Sequence, residues 1–341
     1  MQKKKIDISG GISPLGPSKK VKAAIRKAIK NVRDHYEPEL ARLGKLFSSK
    51  YGVPEDGILF SNSVRELIYL ITAVFMPKKV LVAGPALKIY EEASSAAGAE
   101  VLYLNASEGS GFKTGTEIIG KIPQGVDLLF IANPNRITGR LTDRDVMNGI
   151  LSFAAEKDIL AVVDESLIEF AEQDCYCIDN LKMDNIIFLR TTANFYGLPG
   201  LELACAVSSG SITEDLTKRK TCTLNALAVA AAKAAFKDKT YKRLARELVK
   251  KEKNNITEKI KKINGIKVYS SDSNIILVKT VCPGERVLNS LARHGFLVQD
   301  CRDIEGLDDS FLRFSISKHE YNLKLLRILT DCLQNAVSDR G

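Results

Sequence analysis

Tryptophan is absent from this 341-residue chain, histidine occurs three times, and aromatic residues make up only 7% of it. So few rings argue against the stacked-base platforms that grip single-stranded nucleic acid. Long apolar runs are missing as well. The longest, residues 67–75 and 226–236, fall well short of the roughly 20 residues a membrane-spanning helix needs. The start, Met1-Gln-Lys-Lys-Lys-Ile-Asp7, is basic but has no apolar core behind it, so no secretory signal is read there and a cytosolic location is expected. Cysteines number seven, an odd set scattered at 175, 177, 205, 222, 282, 301 and 332, which points to reduced thiols. Cys175 and Cys177 form the one close pair, and His35, His294 and His319 lie far apart, so no metal site is expected. A glycine fingerprint after a strand, a P-loop, a His-Glu-x-x-His helix and a Gly-x-Ser-x-Gly elbow are all missing.

What is present is the profile of a globular protein of about two domains: 45% hydrophobic and 27% charged residues. Lysine and arginine exceed the acids by 50 − 41, a net charge of +9. Much of that excess sits at the N-terminus and in two helical stretches, 19–33 and 237–262. Val21, Ala24, Ile25, Ala28, Ile29 and Val32 recur at helical spacing, which places the intervening lysines on an outer face. That face reads as solvated, and neither a nucleic acid nor a membrane is expected as a partner. A nucleic-acid binder using these helices would bind duplex with a steep salt dependence.

Short Val-, Ile- and Leu-rich runs at 80–83, 100–104, 127–132, 159–163, 186–190 and 203–208 predict strands buried on both faces. Helical patterns separate several of them, including 87–97 and 143–157, the latter with Thr142 as N-cap. Alternation of this kind predicts an α/β fold with a mostly parallel sheet between helices. After the basic segment come strands at 266–270, 274–280, 296–299 and 311–317 with helices at 284–294 and 319–335, a smaller α/β domain. The expected division is an N-terminal segment, 1–35, packing with the small domain, a large domain, 36–240, and a small C-terminal domain, 241–341.

Ligands of open α/β sheets gather at the carboxyl ends of the strands. Four loops fall there: Gly84-Pro-Ala-Leu-Lys-Ile-Tyr90, Asn133-Pro-Asn-Arg-Ile-Thr-Gly139, Asp164-Glu-Ser166 and Thr191-Thr-Ala-Asn-Phe-Tyr-Gly-Leu-Pro-Gly200. With Ser61-Asn-Ser63, which opens an apolar helix and so offers an anion seat, they are expected to ring one pocket.

Those loops, in that order, resemble fold-type I pyridoxal-phosphate enzymes, in the branch that holds histidinol-phosphate aminotransferase and threonine-phosphate decarboxylase. Ile12-Ser-Pro-Leu-Gly-Pro17 is similar to the family's Asn-Pro-Leu-Gly segment, and His35-Tyr-Glu-Pro38 to its Tyr-Pro-(Asp/Glu) turn. Asn62-Ser-Val-Arg-Glu-Leu-Ile68 resembles the start of the phosphate-loop helix. Asn133–Gly139 looks like Asn-Pro-Asn-Asn-Pro-Thr-Gly, Asp164-Glu-Ser-Leu-Ile-Glu-Phe170 like the Asp-Glu block, and Phe195-Tyr-Gly-Leu-Pro-Gly-Leu201 like the segment after the Schiff-base lysine. Gly295-Phe-Leu-Val-Gln-Asp-Cys301, Gly306-Leu307 and Phe311-Leu-Arg-Phe-Ser-Ile316 resemble the decarboxylase C-terminal domain.

The resemblance implies a homodimer, pyridoxal phosphate as cofactor, and roles for particular residues. Tyr36 would reach the phosphate across the dimer interface, Asn62, Ser63 and Val64 would open the phosphate-binding helix, and Thr191 would replace a phosphate-binding serine. Asp164 would pair with the pyridine nitrogen. Arg313 would grip a substrate carboxylate. The same resemblance exposes departures. The Schiff-base lysine is Asn194, the phosphate arginine is Glu202, the asparagine on the ring hydroxyl is Arg136, and the next proline is Ile137. Leu87 stands for the stacking aromatic, Leu167 for a tyrosine, Gln299 for an arginine and Ser63 for the phosphate-loop glycine. An amide nitrogen is not nucleophilic, so position 194 cannot form an aldimine. Lysine to asparagine and arginine to glutamate remove three units of positive charge together. The expectation is a non-catalytic homologue with a pocket lined by Arg136, Asp164, Asn194 and Glu202, open to a small phosphorylated or amino-acid ligand. The alternative is a pyridoxal-phosphate-binding transaminase or decarboxylase of a phosphorylated amino acid, with another group such as Tyr196 in place of the lysine.

Overall fold

The computed structural model describes residues 5–30, 32–33, 37–171 and 184–338. Tyr36, His35, Cys175 and Cys177 lie outside the described residues. In chain order the first half comprises β1 (Ile6–Asp7), α1 (Lys19–Ile29), α2 (Glu37–Tyr51), β2 (Ile58–Ser61), α3 (Val64–Phe75), β3 (Lys79–Gly84), α4 (Ile89–Ala96), β4 (Glu100–Asn105), β5 (Leu128–Ala132), α5 (Arg144–Glu156) and β6 (Leu160–Asp164). Then follow β7 (Ile186–Thr191), β8 (Ala204–Val207), α6 (Gly210–Arg219), α7 (Ala226–Lys237), α8 (Lys239–Ile260), β9 (Ile266–Val268), β10 (Ile275–Thr280), α9 (Gly284–Arg293), β11 (Phe296–Leu297), β12 (Gln299–Asp300), β13 (Phe311–Ser315) and α10 (His319–Ser338).

Strands β2-β8-β7-β6-β5-β3-β4 form a seven-stranded sheet. The five from β7 to β4 are parallel, and β8 runs antiparallel to both β7 and β2. The apolar runs are nearly continuous because helices cover both faces. Leu81, Ala83, Leu129, Ile131, Ala161 and Val163 pack on one side with α2, α5 and α7 residues such as Phe47, Leu151 and Val229. Their neighbours Val80, Val82, Leu128, Phe130 and Val162 pack on the other with Leu67, Ile68 and Ile71 of α3. Each such Val, Leu, Ile or Phe side chain contributes about 1.5–3 kcal/mol by burial. A four-stranded antiparallel sheet, β12-β13-β10-β9, forms a second layer against α9 and α10, and β1 pairs in parallel with β11.

Several local expectations are corrected. Asp143, not Thr142, precedes α5 as its cap, because the Asn133 side chain takes the Thr142 N–H at 2.9 Å and holds it in the loop. The expected 296–299 strand splits in two: Phe296–Leu297 joins β1, while Gln299–Asp300 joins β13. Helix α1 ends at Ile29, so its apolar stripe stops short and Ile29 and Val32 are exposed. The basic residues of α8 are not all solvated. Lys242 pairs with Glu169 at 3.3 Å, Arg246 Nε donates to the Glu169 carbonyl at 2.8 Å, and Lys253 donates to the Ser271 carbonyl at 2.9 Å. Among the described residues no helix is long and apolar enough to cross a membrane.

Candidate functional site

The carboxyl ends of the parallel strands β3, β5, β6 and β7 share one edge of the large sheet, and the chain reverses its order of strand addition between β3 and β5. A crevice belongs at such a switch point. Asp164, the last residue of β6, is buried there and both its oxygens are engaged. Oδ2 accepts from the Tyr90 hydroxyl at 2.7 Å and from Arg136 Nη1 at 3.4 Å. Oδ1 accepts from the Ser166 N–H at 2.8 Å and from the Ser166 hydroxyl. Burial and Asp164 push the Tyr90 phenol well above its ordinary range, so Tyr90 acts as a donor. Burial works against the charge on Arg136, but Asp164, with Tyr90 and Glu202 behind it, keeps that guanidinium above its ordinary value.

Helix α3 opens with Ser63 as N-cap, its hydroxyl accepting from the Glu66 N–H at 3.1 Å, while Glu66 Oε2 accepts from the Asn62 N–H at 3.0 Å. This reciprocal pairing is a displaced capping box. Next in line, the Val64 N–H donates to Glu202 Oε1 at 3.1 Å, and the Thr191 hydroxyl donates to the same oxygen at 2.8 Å. A helix N-terminus attracts an anion through its free N–H groups and its dipole; here that anion is the chain's own Glu202. The Asn62 side chain faces elsewhere, donating to the Thr223 carbonyl at 3.1 Å and accepting from the Asn225 N–H at 3.3 Å at the start of α7.

Asn194 is buried, and its Nδ2 donates to the carbonyls of Gly10 and Gly11 at 3.0 and 3.2 Å, while its backbone carbonyl accepts from the Ser13 N–H at 2.8 Å. The N-terminal segment is thereby drawn between Asn194 and the small domain. Glycine is required where it crosses. At Gly197, φ +66°, a Cβ would stand 2.7 Å from the Gly16 Cα. Arg313, on β13 and 3% exposed, donates from Nη1 to the Ser9 carbonyl. No carboxylate pairs with it among the described residues. Burial, and then the neighbouring Arg136, hold its guanidinium down to about 10. The Nε atoms of Arg136 and Arg313 are both buried without a hydrogen-bond partner.

The structure thus brings Ser63, Val64, Arg136, Asp164, Thr191, Asn194, Glu202 and Arg313 into one linked set. Gln299 lies beside Arg313 in the sheet register, with its amide turned to the Asp300 carbonyl at 2.8 Å. Leu87 is half-buried between two apolar clusters, and Leu167 is fully buried with Phe170, Phe195 and Tyr196, outside the hydrogen-bonded set. Sequence reasoning passed over Tyr90 and Ser166 as Asp164 partners, although both stand in the loops it singled out. It also passed over the backbone carbonyls of Ser9, Gly10 and Gly11, which have no side chain to signal a role.

The class I and II aminotransferase model matches residues 3–329. A histidinol-phosphate aminotransferase of Archaeoglobus fulgidus is 28% identical over 333 residues, 96% of this chain and 93% of that relative. A threonine-phosphate decarboxylase of Salmonella typhimurium is 25% identical over 332 residues, 96% and 91% of the two chains. The crystal structure of the histidinol-phosphate aminotransferase from Clostridium acetobutylicum superposes with a TM-score of 0.89 at 28% identity, covering 97% of this chain and 99% of that one. The fold is that of the fold-type I pyridoxal-phosphate enzymes, and the chain belongs to the class I and II aminotransferase family.

Proposed function

We propose that this chain is a non-catalytic member of its family, a cytosolic homodimer whose pocket holds a small anionic ligand on Arg136 and Arg313. One observation carries the reading: three places at which the family resemblance puts the cofactor are bonded to other parts of this chain. Glu202 sits on the α3 N-terminus where the phosphate would, Arg136 sits on Asp164 where the pyridine nitrogen would, and Asn194 binds the Gly10 and Gly11 carbonyls. Pyridoxal phosphate does not fit this donor set. At an effective dielectric of about 20, a unit charge 4 Å from Glu202 meets roughly 4 kcal/mol of repulsion, and a phosphate carries nearly two. Arg313, a buried cation without a carboxylate among the described residues, and the unpartnered Nε of Arg136 favour a carboxylate or phosphate as the ligand.

A second reading is favoured by Asp164 and Arg313, which stand at the positions of the electron-sink carboxylate and the substrate arginine. In that reading the chain binds pyridoxal phosphate and converts a phosphorylated amino acid with another group in the lysine's place. An ultraviolet–visible titration with pyridoxal phosphate, then borohydride reduction and peptide mass spectrometry, separates the two. Unchanged free-cofactor absorbance and no reduced adduct in the pocket are expected. A yellow species trapped on a pocket lysine, with transamination that vanishes when the cofactor is removed, would overturn the proposal.

A further inference from the structure

Three successive backbone carbonyls of the N-terminal segment meet three buried side-chain donors. Arg313 Nη1 donates to the Ser9 carbonyl, Asn194 Nδ2 to those of Gly10 and Gly11 at 3.0 and 3.2 Å, and Asn274 Nδ2 to that of Gly11 at 2.9 Å. The donors lie close together, since a Cβ on Gly11 would stand 3.4 Å from Asn194 Nδ2 and 3.6 Å from Arg313 Nη2. Among them Arg313 Nε and Asn274 Oδ1 are buried without a hydrogen-bond partner. The Ser9 hydroxyl is engaged by Asp7 Oδ1 at 2.7 Å, so the segment meets the donors with backbone alone. The flanks are held separately. The Ile8 carbonyl accepts from the Ser315 N–H at 2.7 Å and hydroxyl at 2.9 Å, and the Ser13 N–H donates to the Asn194 carbonyl at 2.8 Å. Between these anchors Gly10 is exposed and Gly11 sits at φ +70°, which gives the short stretch its freedom to change path.

A neutral carbonyl is a poor match for Arg313. It supplies a hydrogen bond but no countercharge, while burial and the neighbouring Arg136 work against the guanidinium's charge. A carboxylate brings two acceptor oxygens and the missing negative charge, and its bonds to a guanidinium are about twice as strong as neutral ones. We propose that residues 9–11 are a strap seated on the Arg313 anion site, and that a carboxylate ligand binds there only when the strap lifts. The inference rests on the proposed function, in which Arg136 and Arg313 hold the anion, and adds how that site is controlled. The strap's carbonyls hold the place of the ligand's oxygens, and the donors they release, Arg313 Nη1, Asn194 Nδ2 and Asn274 Nδ2, pass to the ligand. Apparent affinity is then the intrinsic affinity scaled by the fraction of molecules with the strap lifted. Weakening the strap tightens binding, the reverse of what losing an ordinary site contact does.

Malonate, which carries one carboxylate for each arginine, is titrated into the full-length chain by isothermal calorimetry. Gly11→Ala puts a side chain at φ +70° and 3.1 Å from Ile275 Cδ1 in the seated strap, and should lower the malonate Kd about fivefold. Gly16→Ala, at φ +61° with open space around its Cβ, carries similar backbone strain outside the strap and should leave the Kd unchanged. A second pair of variants touches only an exposed side chain. Asp7 Oδ1 accepts from both the N–H and the hydroxyl of Ser9, at 2.9 and 2.7 Å, and so aims the Ser9 carbonyl. Asp7→Ala should bind malonate about threefold tighter than Asp7→Asn, which loses the same charge but keeps an acceptor. Arg313→Gln should abolish binding. If Gly11→Ala and Asp7→Ala bind no tighter than their controls while Arg313→Gln still abolishes binding, the strap is overturned and the anion site stands. Malonate binding to none of the chains overturns the anion site and the strap together.

Discussion

Removing the Glu202 carboxylate should weaken the protein and at the same time create an anion site. In Glu202→Ala the Val64 N–H and the Thr191 hydroxyl lose a shared acceptor, two contacts of 3.1 and 2.8 Å. A hydrogen bond to a charged group is worth about 1.5–3 kcal/mol net, and a charge at a helix N-terminus about 0.3–1. Glu202 is half-buried, so water recovers part of this, and about 2 kcal/mol is the expected loss. With an unfolding entropy of about 2.1 cal/mol/K per residue, a 341-residue chain melting in one transition moves about 1.4 °C per kcal/mol, a shift near 3 °C. The vacated N–H and hydroxyl then suit phosphate. Inorganic phosphate at about 100 times its Kd would return about 2.7 kcal/mol, or roughly 4 °C, to the variant. Any response of the parent, through Arg136 and Arg313, should be smaller than the variant's, because at the α3 N-terminus repulsion of about 4 kcal/mol per charge costs nearly three orders of magnitude in affinity. Differential scanning calorimetry with and without phosphate reads both effects. Equal phosphate responses in the two chains, or a variant as stable as the parent, would refute the view that Glu202 occupies an anion's seat.

Glu108 joins the large domain to β9 and β10, accepting from the Tyr269 hydroxyl at 2.5 Å and from Lys267 and Lys279 at 2.9 Å; Tyr269 and then the lysines hold its carboxyl down to about 2. Its folded value lies below its unfolded one, so its stabilisation is complete above about pH 4.5 and lost as pH falls toward 2; Glu108→Gln should flatten that acid limb in urea titrations, and an unchanged limb would count against the clamp. Gly197→Ala, at φ +66° against the Gly16 backbone, should cost about 2–3 kcal/mol and speed tryptic cleavage after Lys19 and Lys20, an outcome read on a gel. Tyr241→Phe keeps a buried ring but strands the Ser13 hydroxyl and the Gly16 and Phe195 carbonyls, all at 2.9–3.0 Å from the lost hydroxyl, and should cost about 1–2 kcal/mol by urea denaturation.

The large sheet was legible because its strands are buried on both faces, which leaves an apolar run such as Leu128–Ala132 with no polar alternation to blur it. Strand β2 was not. Its four residues, Ile58–Ser61, run straight into the cap of α3, and only pairing with β8, far along the chain, makes them a strand. The loops of the site were legible as turn-rich segments after successive strands, but the partners within them were not. The sign of the charge at position 202 is plain, whereas its use as a helix-terminal anion depends on the 138 residues that separate it from Val64. Lys50 Nζ donates to the Tyr196 hydroxyl at 2.9 Å from 146 positions away, and nothing local marks that lysine. Such pairings depend on how helices are rotated against the sheet, information carried by the packed core rather than by any window of sequence.

The parallel pairing of Ile6–Asp7 with Phe296–Leu297, together with the bond from Arg313 to the Ser9 carbonyl, has a bearing on how the chain is made. Translation delivers residues in order, and the seven strands, with the helices α6 and α7 that pack on them, are complete by Lys237. The sheet can form while the last third of the polypeptide is still on the ribosome. Residues 6–9 emerge long before residues 296–313 and have nowhere to lie until those arrive. A nascent chain stalled short of residue 313 would therefore present a finished sheet with its crevice still uncovered by its own N-terminus.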